Sequence, residues 1–386
     1  DFLSKSAGTV KAIVTGIDDS AVAIQTYMAT LLRPAVGAQA LGLHVSHALS
    51  QKRFDRWFTL LHNSSDFKLM QDAGLNVTDP KSLHESKKDE IFNNRFDGTI
   101  KIKGKEYQLI GAPLKPFERA FNTLGNASRV LAFRAKANQY IRDGYTFKSH
   151  PELFKSLAER LNTQTGRGKQ NEYIQKESKV VTMGIWSPGL MAAKFNMLGV
   201  SDLASLAMSK AGTKGYYRQL HPLERIEAIK DVVDFSTAVL AISYGAALAF
   251  GGTVDDDPLS STYLDVKFDD GKSYNFSGGF SSYIRTIAQF AKGAKIKDGK
   301  KTDVNRLDIA GRFARGKMPP ISAAIANMMT GKDFMGKETS ALNEAKNLLT
   351  PISVKGIYKQ IQRDGTESLF TQGIPTFFGF NIKDQK

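Results

Sequence analysis

The stretch DFSTAVLAISYGAALAFGGTVDDD, residues 234–257, decides the fold. From Phe235 through Val254 it holds no charge, and Val239, Leu240, Ile242, Tyr244, Leu248 and Phe250 stand among many alanines. Its length reaches the lower range for a membrane span. Its composition suits that role poorly, because Ala, Gly, Ser and Thr contribute little transfer energy. The flanks carry Asp231 and Asp234 before it and Asp255, Asp256 and Asp257 after it, where a span has Lys or Arg. A closely packed buried helix is the leading reading. A segment that enters a membrane only during a functional transition stands second, and a constitutive span third. In those two cases Phe235, Leu240, Ile242, Leu248 and Phe250 are the side chains that meet lipid. In all three the segment is helical.

Working outward, the same period recurs. Ile24, Met28, Leu31 and Leu32 repeat at three-to-four spacing, Pro34 breaks the run, and a second helix is expected over about 38–61. Phe117, Phe121, Leu124, Leu131 and Tyr140 mark another, and Pro151 with Glu152 opens the next, with Leu153, Leu157 and Leu161 on one face. A helical layer over 190–211 is interrupted by Gly199, and further helices are expected near 320–329, 341–349 and between Pro351 and Pro375. Two places change period. Ile100 and Ile102 face Tyr107 and Leu109 across Lys103–Gly104, and Val266 and Phe268 face Tyr274 and Phe276 across Asp269–Asp270–Gly271. The expected fold is therefore mainly α, a multi-helix assembly with two small β-hairpins, near 99–110 and 264–277. Three regions are expected: 1–160, helical with the first hairpin; 161–291, helical with the apolar helix and the second hairpin; and 292–386, a basic loop and C-terminal helices.

Composition bounds the class. An apolar fraction of 41% with 24 phenylalanines excludes general disorder, and zero cysteines removes disulfides, thiolate chemistry and Cys-ligated metal sites. Asp1 stands where a translated chain begins with methionine, so the chain is expected to be an interior or processed piece of a longer polypeptide. The net charge is +15. Its densest stretch holds Lys292, Lys295, Lys297, Lys300, Lys301, Arg306, Arg312, Arg315 and Lys317 against Asp298, Asp303 and Asp308. Such a surface attracts nucleic acid, anionic lipid or an acidic protein, and a solvated basic loop is the plain alternative.

Residue patterns for catalysis are missing. There is no G-x-x-x-x-G-K-[ST], G-x-G-x-x-G or H-E-x-x-H. His44 and His47 lie three apart and share a helix face, and a structural pair is favoured over metal ligands. Thr165–Gly166–Arg167–Gly168–Lys169 is a turn able to hold phosphate through backbone amides, Arg167 and Lys169, or simply a turn whose glycines permit unusual dihedrals. The acidic run Asp255–Asp257 with Asp265, Asp269 and Asp270 lacks the alternating spacing of an EF-hand. No catalytic residue, metal ligand or cofactor is nominated.

Several ordered segments together resemble a helical region of the large polyvalent proteins and internal virion or ejection proteins of tailed bacteriophages. They are Gly16–Ala21, Asn162–Gly168, Trp186–Pro188, Asp257–Thr262, Ser277–Arg285, Thr330–Gly336 and Phe377–Gly379. The chain departs from that pattern at Ala193–Asn196, where an arginine-bearing segment is expected. The resemblance implies a non-enzymatic virion protein, an internal cargo or ejection component or one associated with portal or tail, delivered with the genome. Its implied partners are other virion proteins, phage DNA without sequence preference, and the host membrane in passing. Its implied location is the virion interior and, on infection, the host cell or envelope. The alternative is a scaffold module of a phage polyprotein whose polymerase, protease or nuclease domains lie outside this chain.

Overall fold

Pro34 and Ser50 cut the first apolar stretch into three helices: α1 (Ser20–Leu32), α2 (Pro34–Leu49) and α3 (Gln51–His62). Pro34 occupies the first turn of α2, where a missing N–H costs nothing. Ser50 ends α2 and caps α3, its Oγ accepting from Arg53 N at 3.3 Å. That second break divides the single helix expected over 38–61. The computed structural model describes residues 20–77, 99–102, 105–108, 111–168, 187–207, 215–269, 271–297, 299–318, 320–332, 338–340 and 381–384. The helices expected at 341–349 and between 351 and 375 lie outside them.

The described residues fall into two compact units, one up to residue 168 together with 189–232, the other 187–188 together with residue 233 onward. The region boundaries expected at 160/161 and 291/292 both fall inside helices. The first unit adds α4 (Phe67–Asp72), the strands β1 (Thr99–Ile102) and β2 (Lys105–Gln108), α5 (Gly111–Arg142), α6 (Pro151–Gln164), α7 (Pro188–Met197), α8 (Val200–Ala207), α9 (Tyr216–Gln219) and the start of α10 (Pro222–Phe250). Its spine is α5, which packs on α1, α2, α3 and α6. Ala40 and Ala127, both fully buried, allow α2 and α5 to approach closely. Leu61, Met70, Phe133, Leu153, Phe154 and Leu157 fill the main core. Helix α5 begins six residues before Phe117, taking in Pro113 and Pro116, which sequence alone places at the end of the hairpin. Gly199, at φ +74°, separates α7 from α8.

The second unit holds the rest of α10, a four-stranded antiparallel sheet, α11 (Phe280–Lys292), the hairpin β6 (Ala294–Lys297) and β7 (Lys300–Asp303), α12 (Arg306–Arg315) and α13 (Pro320–Thr330). The sheet runs β3 (Gly252–Val254), β4 (Asp265–Phe268), β5 (Lys272–Asn275), β8 (Asn381–Asp384), with Val266 opposite Tyr274 and Tyr274 opposite Ile382. The fold is mainly helical, and both expected hairpins form, β1–β2 and β4–β5. The expected basic loop is instead a third hairpin followed by a helix.

The apolar helix α10 corrects the leading reading of residues 234–257. Only a narrow i, i+4 stripe is buried: Phe235, Val239, Ser243 and Ala247. Phe235 packs on Phe280, ring centroids 4.9 Å apart, so it is a core residue rather than a lipid-facing one. Leu240, Ile242, Leu248 and Phe250 are exposed, Leu248 at 89%. One narrow stripe, tapering from Phe235 and Val239 to Ser243 and Ala247, meets the neighbouring elements, and Leu240, Ile242, Leu248 and Phe250 fall on the faces left over. By length and composition α10 is able to cross a membrane.

Candidate nucleic-acid interface

The basic stretch begins where α11 ends. Gly293 sits in the left-handed region, at φ +64°, and its N–H donates to Gln289 O at 2.8 Å. The chain then turns into β6, which is held along its outer edge by Ile296 N donating to Leu259 O at 2.9 Å and Ser261 N donating to Ile296 O at 3.0 Å. Strand β7 pairs with β6 in the register Ala294↔Asp303, Lys295↔Thr302, Ile296↔Lys301, Lys297↔Lys300. Gly299, at φ +72°, makes the reversal.

Pleating sorts these residues. Directly paired residues share a face and successive ones alternate. Ala294, Ile296, Lys301 and Asp303 take one face, and Ala294 is buried there. Lys295, Lys297, Lys300 and Thr302 take the other. Lys297 thus stands directly opposite Lys300, a like-charged pair that destabilises an isolated ribbon. Lys297, Lys300 and Lys301 are exposed, Lys295 is half-buried, and Lys292 at the end of α11 is exposed. No acidic side chain pairs with any of these five among the described residues.

The remaining cations of the stretch have structural employment. Arg306 Nε donates to Phe290 O at 3.0 Å, closing the end of α11. Arg312 Nε donates to Asp308 O at 3.2 Å within α12. Arg315 Nη2 reaches Asn327 Oδ1, Thr330 Oγ1 and Lys332 O, at 3.2, 3.3 and 2.9 Å, tying α12 to the end of α13. Lys317 lies against Tyr283 and Phe313, its Nζ 4.7 and 5.3 Å from the two ring centroids. Burial, followed by the charge of Arg285, lowers its pKa to about 8.

Arg167 belongs to the first unit, and Lys169 lies outside the described residues. The turn around Arg167 is a helix cap and not a phosphate cradle. The amides of Thr165, Gly166 and Arg167 already donate to the carbonyls of Leu161, Asn162 and Thr163. Gly168 is required by crowding, since a Cβ there would meet Thr163 Oγ1 at 2.4 Å. Beneath this turn lies Arg129, fully buried, donating to Thr165 Oγ1 and Asn126 Oδ1 at 2.9 Å each. Burial lowers its pKa to about 9. Its two partners are neutral, and the negative end of α6 supplies the compensating field.

His44 and His47 do share a face of α2, turned toward α5. Their Nδ1 atoms lie 2.9 Å from Ala120 O and Thr123 Oγ1 respectively. Burial lowers both pKa values, that of His47 to about 4 with Arg119 adding to the effect. In the acidic run, Asp255 accepts from Ser260 Oγ at 2.6 Å and Thr262 Oγ1 at 2.5 Å, Asp256 from Tyr244 Oη at 2.8 Å, and Asp257 from Leu259 N at 2.8 Å. These carboxylates shape the loop between β3 and β4. Among the described residues no three His, Asp or Glu side chains converge on a metal-sized space.

Sequence reading missed a cluster under the first turns of α10. Arg160 is buried with its Nε on Glu224 Oε2 and its Nη1 on Asp231 Oδ2, both at 2.5 Å. Tyr140 Oη donates to Glu224 Oε1, Gln164 Nε2 donates to Asp231, and Arg33 joins Asp231 at 3.3 Å and Gln164 Oε1 at 2.9 Å. Burial opposes the charge on Arg160, but the two carboxylates outweigh it and raise its pKa above the ordinary value.

Comparison with protein families, characterised proteins and solved structures finds no match to this chain.

Proposed function

We propose that this chain is a non-enzymatic structural protein of a bacteriophage particle, held in the virion interior or at the portal or tail. In this reading the β6–β7 ribbon makes its sequence-independent contact with DNA. The observation that carries the reading is the pairing of Lys297 with Lys300, both exposed and, among the described residues, in no ion pair with an acidic side chain. A fold gains nothing by setting two ammonium groups face to face, whereas a phosphate backbone relieves the repulsion and releases counterions. The ordered segments from Gly16 to Phe377 that resemble phage internal proteins supply the setting. Other virion proteins are its expected neighbours.

The test is duplex DNA binding by anisotropy across a salt series. Four phosphate contacts give a log–log slope of about −3 to −4, with little dependence on base sequence. Charge reversal at Lys295, Lys297, Lys300 and Lys301 is expected to lower affinity at least ~100-fold and to flatten that slope. An unchanged curve removes the ribbon as the contact. Mass spectrometry of purified particles tests the location: absence from mature virions removes the structural role and leaves the scaffold module of an intracellular polyprotein.

A second reading, transient contact with the host membrane, is favoured by the exposed Leu240, Leu248 and Phe250 of α10. Liposome flotation tests it. The acidic flank Asp255–Asp257 is costly to bring near a bilayer centre, so flotation is expected only after the unit opens.

A further inference from the structure

The two strands of the basic ribbon are not equally accessible. Every residue of β7 is exposed, whereas β6 passes from the buried Ala294 to the exposed Lys297. The outer edge of β6 is occupied, since Ile296 turns both its N–H and its C=O toward Leu259 and Ser261. That segment is braced in turn by α11, through Gln289 Nε2 donating to Leu259 O at 2.9 Å and Arg285 donating to Ser261 O. Antiparallel pairs alternate, so Lys295↔Thr302 and Lys297↔Lys300 carry the hydrogen bonds between the strands. Val304 N donating to Gly293 O at 2.8 Å keeps the same alternation at the base. The N–H and C=O of Lys301 therefore point outward from the edge of β7, and no backbone group pairs along that edge among the described residues. An exposed cation stands on either side of it: Lys300, with Lys297 opposite, on one face, and Lys301 on the other.

We propose that the ribbon enters the major groove of B-form duplex DNA edge-on, β7 leading, with Lys300 and Lys301 on phosphates of opposite strands. This rests on the DNA contact proposed above and names its mode. A flat contact through Lys295, Lys297 and Lys300 leaves Lys301 pointing away from the ligand, and edge-on entry uses it. Tip-first entry drives Asp298, the residue between Lys297 and Gly299, toward the phosphates. With β7 lying along the groove, the reversal faces along the groove axis instead. Asp303 shares the face of Lys301, about 7 Å further along the strand. That wall therefore takes a single phosphate contact, and the wall shared by Lys295, Lys297 and Lys300 takes the rest.

Dimensions select the groove. Paired strands lie about 4.8 Å apart, so a ribbon on edge, with side chains on both faces, suits a groove about 12 Å wide and about 8.5 Å deep. The minor groove, about 6 Å wide, is closed to it. The major groove of A-form RNA is too deep and narrow for side chains to enter. Neither face of the ribbon carries an aromatic ring, the platform on which single-strand binders stack unpaired bases.

The test measures binding of the full chain to a short duplex DNA and to duplex RNA of matching sequence, by anisotropy across a salt series. Lys300→Gln and Lys301→Gln are each expected to shrink the log–log slope by about 0.9, and duplex RNA to bind at least ~10-fold more weakly than DNA. A wild-type slope in Lys301→Gln beside a reduced slope in Lys300→Gln overturns edge-on entry and leaves a flat contact through the lysine face. Equal affinity for the two duplexes also overturns it, because the A-form groove excludes the ribbon. If both variants and the charge reversal of all four ribbon lysines leave binding unchanged, the DNA contact itself falls with it.

Discussion

Arginine under α10 and lysine on the β6–β7 ribbon carry the same charge and serve opposite ends. Around Arg160 every cation meets a carboxylate or an amide within a dry interior, and Tyr140 and Gln164 complete the remaining acceptors of Glu224 and Asp231. On the ribbon Lys297 stands opposite Lys300, both are exposed, and no ion pair holds either among the described residues. The planar guanidinium suits the first environment because its fixed donors reach two carboxylates at once. The hydrated ammonium suits the second, an exposed surface on which the proposed phosphate contact would form. A cation enclosed with its anions holds a fold in register, and a cation left repelling its neighbour waits for a ligand.

The sharpest way to break this contrast is to remove an anion from the interior. Glu224→Ala leaves Arg160 with Asp231 alone and Tyr140 Oη without its acceptor. The expected loss is about 3–5 kcal/mol, since an uncompensated buried charge costs far more than an exposed one. Urea unfolding should show it as a large drop in midpoint with an unchanged slope. The double variant Lys297→Gln, Lys300→Gln should leave the unfolding free energy from the same urea titration within about 0.5 kcal/mol of wild type. If both variants unfold alike, the interior network is not what holds α10.

Legibility in the sequence follows from how far apart the interacting residues lie. Helices and hairpins are local, so Ile24, Met28 and Leu31, or Val266 and Tyr274, announce them through spacing alone. The Arg160 cluster joins residues 33, 140, 160, 164, 224 and 231, and no pattern along the chain brings those together before the fold does. The lysines of the ribbon are contiguous and were legible as a charge cluster. Their strand period was only half visible, because Ala294 and Ile296 alternate with lysines in β6 while Lys300–Lys301–Thr302–Asp303 of β7 has no apolar face. Asp298–Gly299 carried the same reversal signal as Gly271 and its preceding aspartates. Exposure of Leu248 and Phe250 was illegible for another reason: an alanine-rich helix reads as buried whichever stripe the neighbours choose.

Histidine sharpens the comparison from a third side, since His44 and His47 are buried bases that must stay neutral. Burial lowers their folded-state pKa values below 6.5, that of His47 to about 4. Between pH 6.5 and 4 the unfolded chain therefore binds more protons than the folded one, and stability rises with pH across that window. It should be complete above about pH 6.5 and reduced by about 3 kcal/mol at pH 4. Urea midpoints of the wild type and His47→Gln across pH 4–8 check this. A variant profile as steep as the wild type would remove His47 as the source of the acid sensitivity.

The smallest expected effect is the most telling about the ribbon. Lys297→Thr removes one member of the facing lysine pair and places a β-branched residue opposite Lys300. Relief of like-charge repulsion and better strand propensity should raise stability by about 0.2–1 kcal/mol. The same change deletes one phosphate contact, so DNA affinity should fall and the log–log salt slope should shrink by about 0.9. Thermal unfolding and a salt series of binding measurements on one preparation give both numbers. Opposite signs mean that the chain keeps a strained cation pair for the sake of its ligand. If stability and affinity fall together, Lys297 packs within the unit, and the distinction between enclosed arginine and waiting lysine loses its clearest case.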